Sequence, residues 1–128
     1  MKSTIVLIGG LFILFGIILG AFGAHALESQ LTFDELNSLK TGIQYQIYHG
    51  LALLVIGFNF DKVNKVRLIC RGIVTGTILF SGSIYLLSLD SLMDINLIFL
   101  WPVTPIGGSI LIVSWIMFVY VLRKKIKH

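Results

Sequence analysis

Four stretches free of charged residues constrain this chain more than anything else in it: about Thr4 to Ala24, Thr41 to Phe60, Gly72 to Leu89 and Pro105 to Leu122. Each is close to the roughly 17–25 residues that a helix needs to cross a hydrocarbon core of about 30 Å. The balance of the sequence agrees. Of 128 residues, 56% are hydrophobic and 12% charged, against about 25% charged in a soluble domain, so lipid is the solvent for most of this surface. None of the four stretches alternates polar and apolar residues at period two, which excludes a β-barrel and leaves helices as the way to satisfy backbone N–H and C=O groups in a bilayer. The expected fold is an all-α integral membrane bundle of four transmembrane helices in a single domain. The short apolar patch from Ile95 to Trp101 reads as an interfacial segment that feeds the fourth helix.

Charge sets the expected orientation. Nine of the ten lysines and arginines flank the same ends of the spans: Lys2, then Lys62, Lys65, Arg67 and Arg71, then Arg123, Lys124, Lys125 and Lys127. The other loops hold Glu28, Asp34, Glu35, Asp90 and Asp94 with Lys40. Cytoplasmic loops retain basic residues, so both termini and the 61–71 loop are expected in the cytoplasm of a plasma-membrane protein. Ala24-His25-Ala26 imitates a signal-peptidase site, but the apolar run before it exceeds the roughly 7–15 residues of a signal h-region, and it is read as a span. The net charge of +4 sits in blocks beside apolar spans, which suits anionic lipid headgroups at Arg123, Lys124, Lys125 and Lys127 and gives no nucleic-acid surface. Cys70 stands alone and makes no internal disulfide.

Two helix starts are legible. Thr32-Phe-Asp-Glu35 fits a capping box, so the second helix should begin near residue 33, outside the membrane. Thr104-Pro105 reads as a cap followed by a first-turn proline. At about 100° per residue, Thr41, Gln44, Tyr45, Tyr48, His49 and Ala52 share an arc about 140° wide, with Ile43, Ile47, Leu51, Leu54 and Val55 opposite. Amides and imidazoles avoid acyl chains, so this arc is expected to face the bundle. Tyr85 falls on a different face from Gly82 and Ser83 and reads as interfacial. Small residues let lipid-embedded helices approach closely, and the expected packing positions are Gly16, Gly20, Gly72, Gly76, Gly82 and Gly107.

Topology brings the polar residues to one depth in the outer half: His25, Gln44, Gln46, Tyr48, His49, Ser81, Ser83, Tyr85 and Thr104 form one candidate cluster. Four blocks carry most of it, namely Gly20-Ala-Phe-Gly-Ala-His25, Tyr45-Gln-Ile-Tyr-His49 with Gly50-Leu-Ala-Leu-Leu54, Phe80-Ser-Gly-Ser-Ile-Tyr85, and Thr104-Pro-Ile-Gly-Gly108. In this order they resemble the YgdD-type family of small four-helix membrane proteins, related to the eukaryotic transmembrane-protein-256 group, over essentially the whole length. The resemblance implies a four-helix fold in the plasma membrane and no agreed activity.

The function expected first is a structural or interaction component whose polar cluster fixes helix register, with membrane lipids, a second copy or another membrane protein as partner. A small transporter or channel is the alternative. No Asp or Glu lies inside a span, so proton coupling would fall on His49, alone or with His25. Haem or metal binding through His25 and His49 is a further alternative, and it requires the first helix to unwind near Gly23 to bring His25 inward. Neither a metal nor another cofactor is expected. An enzyme is the least supported class, because Ser81 and Ser83 near His49 lack an orienting acid.

Overall fold

The computed structural model describes residues 1–62 and 65–126, and among them all regular structure is helical. Helix α1 spans Lys2–Ile18, passes through a π-helical turn at Leu19–Gly23 and ends as the short α2, Ala24–Leu27. Helix α3 spans Phe33–Phe58, α4 Val66–Met93 and α5 Val103–Ile126. Short 3-10 turns at Phe60–Lys62 and Ile98–Leu100 sit in two of the connections.

Three stretches, Lys2–Leu27, Val66–Met93 and Ile98–Ile126, are long and apolar enough to cross a membrane. At 26 residues α3 is also long enough, but Gln44, Gln46 and His49 make it less apolar. It nevertheless lies at the depth of the others, because α1 and α4 both pack along it. Chain-adjacent long helices pack on one another: α1 on α3, α3 on α4, α4 on α5. The central pair is therefore α3 and α4, with α1 and α5 outside it.

Local chemistry accounts for the boundaries. Thr32 and Glu35 close the expected capping box: the Glu35 N–H donates to the Thr32 hydroxyl at 3.3 Å and the Thr32 N–H to the Glu35 carboxylate at 2.8 Å. Helix α5 begins one residue before the expected cap, at Val103. Pro105 falls inside its first turn, where a missing N–H costs nothing because those donors have no intrahelical partner. Thr104 is thereby freed from capping.

The core has two parts. At the basic end Ile5, Leu53, Ile56, Ile69 and Ile73 are buried together, with Phe12, Met117 and Phe118 against them. At the other end Ala24, Leu31, Leu36, Leu39 and Ile43 pack with Tyr85 and Leu89. Glycine decides how closely the helices cross. A Cβ at Gly9 would stand 2.8 Å from the Gly50 carbonyl oxygen, and one at Gly107 would fall on the Phe80 backbone nitrogen, so α1/α3 and α4/α5 meet backbone to backbone. Such contact supplies much of the packing attraction available in lipid.

Of the expected packing glycines, Gly16 lies under Ile47, Gly72 against Ser114, and Gly76 against Leu111. Gly20 and Gly82 do not fit that role. A Cβ at Gly20 would make one ordinary contact with Ile43 at 3.6 Å, and a Cβ at Gly82 would meet nothing within 4 Å. Helix α3 carries three crossing glycines of its own, Gly42, Gly50 and Gly57, packed on Tyr85, on α1 at Gly9 and Ile13, and on Val6.

Candidate functional site

The buried face of α3 reads Leu39, Gly42, Ile43, Gln46, His49, Gly50, Leu53, Ile56 and Gly57. It is rotated from the expected polar arc, and the difference sorts the predicted residues. Gln46 and His49 point into the bundle, whereas Thr41, Gln44 and Tyr48 are exposed, Tyr48 by 57%. Ile43, expected toward lipid, is buried. The glycine stripe sets this rotation, since close approach to α1 and to Tyr85 is achieved only with Gly42, Gly50 and Gly57 inward. Polarity then distributes around it. Thr41 donates its hydroxyl to the Asn37 carbonyl at 3.0 Å, and Gln44 lies one turn below exposed Lys40 on the same side of the helix, within reach of the headgroup level.

Gln46 is the hub. Its amide nitrogen donates to the Phe12 carbonyl of α1 at 2.8 Å, and its amide oxygen accepts the Tyr85 hydroxyl of α4 at 2.8 Å. Three helices are thereby tied through one side chain. Tyr85 is thus half-buried and inward, which agrees with its place in the expected cluster and corrects its interfacial reading. One turn away, Ser81 donates to the Gly42 carbonyl at 2.8 Å. Ser83 donates to the Phe80 carbonyl at 3.0 Å and exchanges a 2.7 Å hydroxyl bond with Thr104, which links α4 to α5.

His49 is engaged at both ring nitrogens. Nδ1 lies 2.7 Å from the Tyr45 carbonyl, and Nε2 lies 3.1 Å from the Trp115 indole nitrogen. An indole N–H only donates and a carbonyl only accepts, so the proton is assigned to Nδ1 and the imidazole is neutral. Tyr45 stacks on His49 and also meets Phe80 at 4.9 Å between ring centroids, and Trp115 meets Phe118 edge-on at 5.7 Å. Tyr45, His49, Phe80 and Trp115 line a lateral groove of about 880 Å³ between α3 and α5, which runs from Tyr45 and His49 past Leu111 and Trp115 to Arg123 at the basic end.

His25 does not join this constellation. The π-helical turn at Leu19–Gly23 widens the helix without unwinding it, and the His25 side chain is 84% exposed, 3.6 Å from the Glu28 carboxylate. The two histidines therefore do not converge, and among the described residues no group of three or more His, Cys, Asp or Glu is placed to hold a metal ion. At the basic end Arg123, Lys124 and Lys125 form the last turn of α5, with Lys124 5.5 Å above the Tyr120 ring. Lys127 lies outside the described residues.

Sequence reasoning missed Trp115 and the Phe12 carbonyl. The first had a signal: tryptophan favours membrane interfaces, whereas Trp115 is midway along α5, at a depth where an indole N–H finds no water and requires a protein acceptor. A backbone carbonyl carries no such mark.

The chain is similar to known proteins along most of its length. The family described as a protein of unknown function (DUF423) matches residues 19–108, a segment that holds all four blocks quoted above. The UPF0382 membrane protein YwdK of Bacillus subtilis is 38% identical over 120 residues, covering 91% of this chain and 94% of the relative. A UPF0382 membrane protein of Haemophilus influenzae is 35% identical over 118 residues, covering 91% and 89%. The UPF0382 inner membrane protein YgdD of Escherichia coli is 36% identical over 113 residues, covering 85% and 82%. No solved structure matches the chain.

Proposed function

This chain belongs to the DUF423 family of membrane proteins, and from that premise we propose that it is a structural or interaction component of the plasma membrane with both termini in the cytoplasm. One observation carries the reading: buried polarity is consumed within the chain. Among the described residues no buried side-chain nitrogen or oxygen lacks a partner, and Gln46 and His49, the most polar groups inside the bundle, are bonded at both ends of their side chains. A membrane site that moves or transforms a polar ligand needs a donor or acceptor held open for it. Here those groups fix the rotation and depth of α1, α4 and α5 against α3.

Its partners come from the membrane: lipids, a second copy, or another membrane protein laid into the groove between α3 and α5. The orientation rests on the basic residues gathered at one end of the bundle, and the membrane on the name of the Escherichia coli relative, an inner membrane protein.

Two measurements test the proposal. Reconstituted into proteoliposomes, the wild-type chain should dissipate a pH gradient no faster than empty vesicles, and a flux abolished by His49→Leu would replace this reading with transport. In a Cys70→Ala background, an impermeant maleimide applied to intact cells should label Asn96→Cys and spare Lys125→Cys until lysis. The reverse pattern would invert the topology.

A further inference from the structure

A second cleft, of about 460 Å³, opens between α1 and α4 at the basic end, remote from Gln46 and His49. Thr4, Ile5 and Ile8 form its α1 wall, and Arg67, Arg71 and Val74 its α4 wall. Its composition is divided by depth. The two guanidinium groups belong to residues one turn apart on the same side of α4 and mark the mouth. From Arg67 to Val74 the cleft runs seven residues, about 10 Å along the helix axis, and its inner lining is mostly apolar, with Ile5, Ile8, Cys70 and Val74 beside Thr75.

The charges at the mouth are uncompensated. Among the described residues neither Arg67 nor Arg71 makes an ion pair, and the nearby Asp61 carboxylate is 3.6 Å from Lys2. No acidic side chain lines the cleft. The first turn of α4, with the positive end of its helix dipole, lies at the same level and has no side-chain cap. A guanidinium pair binds phosphate oxygens through a planar fork of donors, and a mostly apolar slot leading inward from it accepts a hydrocarbon chain. A soluble phosphate would use the first feature and leave the second empty.

We infer that this cleft is a binding site for an anionic glycerophospholipid, with the phosphate held between Arg67 and Arg71 and one acyl chain lying along Ile5, Ile8 and Val74. Basic pockets between transmembrane helices at the cytoplasmic side are suited to such headgroups. This site differs in kind from the basic last turn of α5, which attracts anionic surface through charge alone.

The test is native mass spectrometry and lipid-dependent thermal stability of the full-length protein in mild detergent, titrated with phosphatidylglycerol and, separately, phosphatidylcholine of the same acyl chains. Phosphatidylglycerol should bind and raise the melting temperature, and phosphatidylcholine should do neither. Arg67→Gln with Arg71→Gln should weaken phosphatidylglycerol binding about thirtyfold, the loss expected for two basic contacts. Thr4→Trp fills the slot while leaving both charges and should also weaken it; because Thr4 is exposed, this variant remains informative if the arginine pair proves necessary for folding. Arg123→Gln with Lys124→Gln, which removes two charges that attract anionic surface without a slot, should weaken binding far less than the Arg67 and Arg71 pair does. Equal binding of the two lipids, an equal loss in the tail variant, or no effect of Thr4→Trp would overturn the site in favour of diffuse surface attraction. Displacement of the lipid by equimolar glycerol 3-phosphate would overturn it in favour of a soluble phosphate.

Discussion

Adjacent glycines on α5 allow a sharp test of the helix-crossing geometry. A Cβ at Gly107 would fall on the Phe80 backbone nitrogen and lie 2.9 Å from the Leu79 carbonyl carbon, whereas one at Gly108 would make ordinary contacts with the Phe80 ring at 3.6 and 3.7 Å. Carbon atoms rest at about 3.5–4.0 Å, so Gly107→Ala requires α4 and α5 to part by the better part of an ångström. No flexible side chain can absorb that shift. The neighbouring contact would loosen too, because Gly76 packs beneath the Gly107 carbonyl. Overpacking of this kind costs about 1–3 kcal/mol, and the gain in helix propensity from glycine to alanine offsets up to about 1 kcal/mol of it. Gly107→Ala should therefore destabilise the bundle by about 1–2 kcal/mol, while Gly108→Ala should be neutral or stabilising by up to about 1 kcal/mol. Unfolding in mixed detergent and dodecyl sulfate micelles, followed by circular dichroism, measures both. Shifts of the same sign and similar size in the two variants would refute the backbone-to-backbone crossing.

Three further outcomes follow from the polar contacts. In a double-mutant cycle of Gln46→Leu and Tyr85→Phe, unfolding should reveal a favourable coupling of about 0.6–1.7 kcal/mol, and additivity would deny the bond. Trp115→Phe leaves His49 Nε2 without its donor and should destabilise by about 1–3 kcal/mol, with no further loss in a His49→Leu background; an undiminished second loss would show the pair to be uncoupled. The Glu35 carboxyl is held below its usual range by the Thr32 backbone N–H, then by the Thr32 and Ser91 hydroxyls. The stability it contributes is complete above about pH 4.5, where an unfolded glutamate titrates, and is lost as pH falls through the lower folded value. Hydrogen exchange at residues 33–36, corrected for intrinsic rate, should accelerate in acid for wild type and stay flat for Glu35→Gln, and a flat wild-type profile would contradict the sign.

Length, hydropathy and capping chemistry were enough to read the four helices and the start of α3, because these depend on local properties of the chain. Rotation about each helix axis was only half legible. Gln44 and Gln46 are two residues apart and chemically identical, yet one faces outward and the other is the hub of the network. The polar arc weighted Gln44, Tyr45 and Tyr48 together and so misplaced the centre of the buried face. Gly42, Gly50 and Gly57 mark that face by their spacing, and a glycine stripe on the second helix would have pointed to Gln46 and His49. His25 was misleading for a different reason: its side-chain direction depends on a π-helical turn, which shifts every residue beyond it and leaves no trace in hydropathy. Of the two readings of Thr104, helix cap and member of the polar cluster, the structure takes the second: it bonds Ser83, since a start at Val103 places Pro105 equally well.

The two least apolar long helices, α3 and α4, are also the two flanked on both sides, and in a bilayer this is the expected inversion. Lipid tails solvate leucine and phenylalanine as well as a protein core does, so hydrophobicity does not select which helix goes inside. Polarity and small size do. Helix α1, the main part of the most apolar candidate span, exposes Leu7, Leu14, Phe15 and Ile17, and its register against α3 is set by features that are not hydrophobic. Gly9 and Gly50 set the distance of approach, and the Gln46 amide reaches the Phe12 carbonyl. A slip of α1 by one residue, about 1.5 Å along the axis with about 100° of turn, would bring a neighbouring carbonyl to Gln46, but it would put Phe15 or Ile17 in the place of Gly16 beneath Ile47. The polar bond thus rejects pure rotation or pure translation and the buried glycine rejects a screw slip, errors that a uniformly apolar interface in lipid would tolerate.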